Sequence, residues 1–178
     1  MKHITVITEG TFDAAVLKKL FQNNSPGRKI EIISASGYSS ALSKVKSLIT
    51  LQHDNILLVL DTDTTDEIEI KQKEDFVKSY INTGSHKIHF KIFWAIPEFE
   101  IIFLNNKKFV DELANRKLSK EMLILAKNAP RKLLETISNK KRESFIDILD
   151  NKEIREDFFK EGLIKDISDY IAEKQESI

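Results

Sequence analysis

The sequence predicts an α/β fold: a doubly wound, mostly parallel four-stranded sheet followed by a C-terminal helical extension. Three observations predict it. Short apolar or β-branched runs alternate four times with segments of helical spacing in the first hundred residues, and such alternation builds parallel sheets. The run Ile56-Leu57-Leu58-Val59-Leu60 is apolar throughout and bounded by polar residues, as in a strand buried on both faces. After Pro97 the alternation stops and helical spacing continues to the C-terminus. Residues 1–105 are therefore expected to form the α/β domain and 106–178 the extension.

The elements follow in order. His3 to Thr8 is a β-branched strand, and Glu9-Gly10 ends it. Phe12, Val16, Leu17, Leu20 and Phe21 recur at helical spacing, with Thr11 as N-cap and Asp13 in the first turn, where a carboxylate suits the helix dipole. Asn23-Asn24-Ser25-Pro26-Gly27 is a turn. Lys29 to Ser34 is the second strand, Ser36 to Ser40 a loop and cap, and Ala41 to Leu51 the second helix. The central strand then runs into Asp61-Thr62-Asp63. Asp66 to Tyr80 is a charged, solvent-facing helix ended by Asn82-Thr83-Gly84-Ser85. His86 to Ile96 is the fourth strand, closing at Pro97. In the extension, Pro130 suits a first helical turn and Gly162 a break between two helices.

Composition narrows the function classes. The 178 residues carry 28 Lys+Arg against 28 Asp+Glu, so nucleic-acid binding would need a local basic patch. The absence of Cys excludes disulfides, thiolate chemistry and Cys-based zinc sites. No apolar run is long enough to span a membrane. With a strand beginning at His3, no signal peptide is expected, and the cytoplasm is the expected location.

Three groups of acids fall just beyond strand ends: Glu9 with Asp13, Asp61 with Asp63, and Glu98 with Glu100. In a parallel sheet these ends share one edge, where ligands collect. Crowded carboxylates repel unless a cation or proton separates them, and Mg²⁺ takes oxygen ligands. Two bridged divalent ions, one activating a water and one stabilising the leaving oxygen, suit phosphodiester chemistry. Each acid also has a plainer reading: Asp61 and Asp63 as a polar turn, Asp13 as a first-turn carboxylate, Glu98 and Glu100 as ordinary residues at a helix start. Glu98 and Glu100 are two residues apart, so on a helix they face different ways and one at most is a ligand.

Thr8-Glu9-Gly10-Thr11-Phe12-Asp13 and Leu58-Val59-Leu60-Asp61-Thr62-Asp63 together resemble the Toprim domain of topoisomerases, bacterial primases and OLD-family nucleases. The resemblance covers residues 1–105, not the extension. Asp13, four residues past the glutamate, and Phe99-Glu100-Ile101 are most similar to the OLD nucleases and stand-alone defence Toprims. The resemblance implies Mg²⁺-dependent (or Mn²⁺-dependent) cutting of DNA or RNA with two ions. Glu9, Asp61 and Asp63 would be the catalytic carboxylates on the first ion, with Asp13 and Glu100 on the second. It also implies an effector of a bacterial anti-phage system, paired with an ATPase sensor. Thr64-Thr65-Asp66 follows Asp61-Thr62-Asp63 where many Toprims carry Gly, which points away from the ribosomal-RNA-maturing Toprim ribonucleases. There is no Gly-rich phosphate loop with Lys-Ser/Thr, so the ATPase is expected on a separate chain.

Gly10 is expected to permit a tight turn or close approach of a ligand. Lys127, Arg131, Lys132, Lys140, Lys141 and Arg142 form the candidate nucleic-acid patch, although interspersed Glu135 and Glu143 also suit a solvated helix face. The extension would supply that surface or a homo-oligomer contact. His86 and His89 read as strand surface residues, and Phe90, Phe93 and Trp94 as sheet packing. The alternative from another class is a non-catalytic, Toprim-like interaction module that partners an ATPase.

Overall fold

The structure is a computed structural model that describes residues 3–22, 30–51, 53, 55–81, 89–114 and 119–176. The expected turns at 23–27 and 82–85, together with Lys29 and His86, lie outside the described residues.

A parallel sheet of β1 (Ile4–Thr8), β2 (Ile30–Ser34), β3 (Asn55–Asp61) and β4 (His89–Ala95) runs in the order β2-β1-β3-β4. The fold is thus the expected doubly wound α/β type, with every strand pair parallel. Register aligns the strand ends: Thr8 lies opposite Ser34 and Val59, and Asp61 opposite Ala95. Segments that leave β1, β3 and β4 therefore emerge on one edge.

Between the strands lie α1 (Thr11–Gln22), α2 (Tyr38–Thr50) and α3 (Glu67–Ile81). After β4 come α4 (Ile101–Asn105), α5 (Lys107–Ala114), α6 (Lys120–Ala126), α7 (Pro130–Ser138), α8 (Phe145–Ile148), α9 (Lys152–Asp157) and α10 (Gly162–Glu176), with a 3₁₀ turn at Arg142–Ser144. Strand side chains alternate between two faces, and each face has its own core. Val6, Leu57, Val59 and Phe93 join α1 and the helices after β4 in one large buried cluster that reaches Ile171. Ile7, Ile56, Leu58 and Leu60 join α2 and α3 in a smaller one. The large cluster is stitched by aromatic rings. Phe103 contacts Phe12, Phe109, Phe145 and Phe158, with centroids 4.5–6.1 Å apart, a geometry that adds to the burial energy. The small cluster holds α3 lightly: its buried residues are Val77 and Ile81, while Ile68 and Phe76 are exposed.

Some local expectations are corrected. Thr11 is not the N-cap; it is already helical, and Ala14 N–H donates to Gly10 O. Gly10 holds the cap position because the Asp13 carboxylate reaches back to its N–H at 2.9 Å, half of a capping box. Tyr38 to Ser40 are not a loop, since α2 begins at Tyr38. Gly37, at φ 114°, absorbs the sharp turn that precedes it. Asp66 caps α3, its Oδ1 accepting from Ile68 N–H at 2.8 Å and Glu69 N–H at 3.0 Å. Pro130 opens α7, and Gly162 (φ 72°) opens α10.

Candidate functional site

The site is built where β1, β3 and β4 end. Leu57 and Val59 face the α1 side of the sheet, so Asp61, two residues on, points to that side as well. There it meets the charges of Asp13, buried in the first turn of α1, and of Glu100, buried at the start of α4 with 2% of its surface exposed. Thr62 is buried, its N–H donating to Ala95 O at 3.0 Å and its hydroxyl to Thr64 O at 2.6 Å. The chain then turns sharply. Asp63 takes φ 53° while its N–H donates to Pro97 O at 2.9 Å; Asp tolerates this left-handed conformation better than most residues. The turn sends the Asp63 side chain outward, where Lys73 of α3 meets it at 3.0 Å and also donates to Thr62 O. Glu9 lies between the two arms and feels both Asp63 and Asp13. Glu98 is half-buried, near Arg131 and Glu100.

Charge and burial act together here. Burial pushes the Asp61 carboxyl up from 3.8 to about 8, and the charges of Asp13, Glu100, Glu9 and Asp63 add to it. Glu9 is also raised, by burial and then by Asp63 and Asp13, against the pull of the Asp61 backbone N–H and Lys73. Asp13 is raised by burial and Glu100, against the Gly10 N–H and Arg142. Glu98 is raised by burial and Glu100. Glu9 Oε2 is buried without a hydrogen-bond partner. At the Glu9–Asp61 end the positive charge these groups feel is that of Lys73.

At the other end positive charge is built in. Arg142 does not lie in a surface patch with Lys140 and Lys141. It turns inward, its Nη1 donating to Glu100 Oε1 at 3.0 Å and its guanidinium lying 4.9 Å from the centre of the Phe12 ring. Burial alone would lower the Arg142 pKa, but hydrogen bonding and charge from Glu100, then Asp13, hold it above its usual value. Lys127, Lys132, Lys140 and Lys141 are exposed, and Arg131 pairs with Glu135 at 3.2 Å. Sequence reasoning missed Lys73 and Tyr38. The Tyr38 phenol is raised by burial and then by the charges of Glu9 and Asp63. No motif marks either residue. Lys73 reads as one charge on a charged helix, and its approach to Asp63 depends on how α3 packs. Gly10 serves Asp13 directly: a Cβ there would come 2.9 Å from Asp13 Oδ2.

The donor chemistry suits a hard cation. All six acids offer carboxylate oxygens, and Glu9, with its orphaned oxygen, is close enough to Asp61 for their charges to interact. Among the described residues, however, no three such side chains form a group that could hold a metal ion by themselves. Mg²⁺ needs no full cage; it keeps several waters and commonly binds one or two carboxylates together with substrate phosphates. The residues thus fit one ion at Glu9 and Asp61, completed by water and phosphate. Asp13 and Glu100 are already engaged, with Gly10 N–H and Arg142 respectively. No protein-family model matches the chain, and no curated protein matches it. Among the described residues no helix is long and apolar enough to cross a membrane.

Proposed function

We propose that this chain is a Toprim-type nuclease that hydrolyses phosphodiesters of DNA or RNA with Mg²⁺ or Mn²⁺. The observation that carries the reading is the convergence of acids from three separate strand ends around one half-buried carboxyl, Asp61, pushed up to about 8. Such a concentration of negative charge strains a metal-free protein and is relieved by a divalent ion. When bound, the ion would supply Lewis acidity and a water activated near neutral pH. Glu9 and Asp61 would hold it, and Asp63 would join them when Lys73 lets go. Thr62, fixed by its bonds to Ala95 and Thr64, keeps Asp61 and Asp63 aimed in different directions. The resemblance of Thr8–Asp13 and Leu58–Asp63 to Toprim domains supports the same reading. It is also the sole support for an anti-phage effector role beside a separate ATPase.

The Arg142–Glu100 and Lys73–Asp63 ion pairs favour a second reading, a non-catalytic interaction module whose acids are neutralised internally. One experiment separates the two. The full chain is incubated with labelled DNA, transfer RNA and ribosomal RNA in Mg²⁺, Mn²⁺ or EDTA. The nuclease reading expects cleavage in metal, none in EDTA, and background levels for Glu9→Gln and Asp61→Asn. No cleavage on any substrate would replace it with the module, and cleavage that survives both substitutions would overturn the assignment of Glu9 and Asp61.

A further inference from the structure

We propose that Arg142 permanently fills the place of a second cation, so that the site takes a single divalent ion, held at Glu9 and Asp61. The inference rests on the metal-nuclease reading and changes its stoichiometry. Glu100 is 2% exposed, and a carboxylate so deep needs a partner. Arg142 supplies it at 3.0 Å. Its surroundings pin the guanidinium further. It lies over the Phe12 ring, 4.9 Å from the centroid, and Phe12 immediately precedes Asp13. Its own side chain is 27% exposed, so only part of it is in solvent. Asp13 meanwhile has its carboxylate committed to the cap of α1 at 2.9 Å.

A second ion at Asp13 and Glu100 would have to displace a guanidinium that is ion-paired, ring-stacked and largely buried. The Arg142–Glu100 pair leaves the Asp61 carboxyl and the orphaned oxygen of Glu9 for the ion. Arg142 is in this sense a positioning residue: it neutralises and fixes Glu100, and through Glu100 shapes the electrostatics that Asp61 feels.

The test is the number of Mn²⁺ ions bound per folded chain, measured by titration calorimetry without substrate, with circular dichroism as the check on folding. Wild type should bind one ion, and Arg142→Lys, which keeps the charge, one. Arg142→Gln should bind two, because Glu100 is released to a second ion beside Asp13. Arg142→Gln combined with Glu100→Gln removes both partners of the pair and should return to one; it also serves if Arg142→Gln alone does not fold. Two ions in wild type, or one in folded Arg142→Gln, overturns the inference and leaves the metal reading intact. No ion in wild type overturns both.

Discussion

Asp61 links the chemistry of the site to the stability of the fold. Its folded pKa of about 8 stands above the ordinary 3.8, so the folded state binds this proton more tightly than the unfolded chain. The resulting stabilisation is fully present below about 3.8 and is lost as pH rises through about 8. Without metal, the melting temperature should fall across that window. Glu9 and Asp13 are raised too and add to the fall. Asp61→Asn, neutral throughout, should shrink the slope and melt higher than wild type at pH 8, by about 2–4 °C per kcal/mol of repulsion relieved. Thermal melts from pH 4 to 9 in EDTA check this, and an unchanged slope would assign the titration to another group. Substitution at Glu100 should have the opposite effect on stability. Glu100→Gln strips Arg142 of its partner inside the fold and should cost roughly 1–3 kcal/mol in urea denaturation. Excess Mg²⁺ should not restore its activity, because the partner it leaves behind is an arginine and not an ion.

At the scale of elements, α1 and the helices after β4 share one core, so their stabilities are joined. Phe103 is fully buried among Phe12, Phe109, Phe145 and Phe158. Phe103→Ala should cost about 3–5 kcal/mol and lower strand and helix signals in one transition; separate transitions for sheet and tail would refute a shared core. The strands are legible in the sequence because buried β-branched and aliphatic runs such as Ile56–Leu60 have few other solutions. Glu9, Asp61 and Asp63 are legible for the same reason: a polar residue just past an apolar run must sit at the rim. Arg142 is not. It lies 42 positions from Glu100 in sequence, among Lys140 and Lys141, and composition around it describes a solvated surface. Only the packing of α7 and α8 against α4 and α1 turns it inward. The cap of α1 departs from expectation by one residue because the Asp13 side chain reaches back to Gly10, whereas α2 starts three residues early at Tyr38 with no side-chain cap.

At the scale of the whole molecule, the candidate nucleic-acid patch keeps four exposed lysines, Lys127, Lys132, Lys140 and Lys141. Charge reversal at Lys140 and Lys141 should weaken binding across sequences and reduce the salt slope by about one for each phosphate no longer neutralised. Fluorescence anisotropy over a salt series checks it, and an unchanged slope would locate the phosphate-binding surface elsewhere. The two cores of unequal size also divide the molecule in time. The layer of α2 and α3 has the smaller core, and α3 is anchored by Val77 and Ile81 near its C-terminal end. Its first turns should open locally far more often than the fold unravels as a whole. Lys73 travels with that layer, whereas Arg142 belongs to the layer of the larger core. In hydrogen exchange, the amides around Lys73 should lose protection well before those of α1 and α10. The two basic groups then keep different clocks: Asp63 is freed of its lysine at each local opening, while Glu100 keeps its arginine for as long as the protein stays folded.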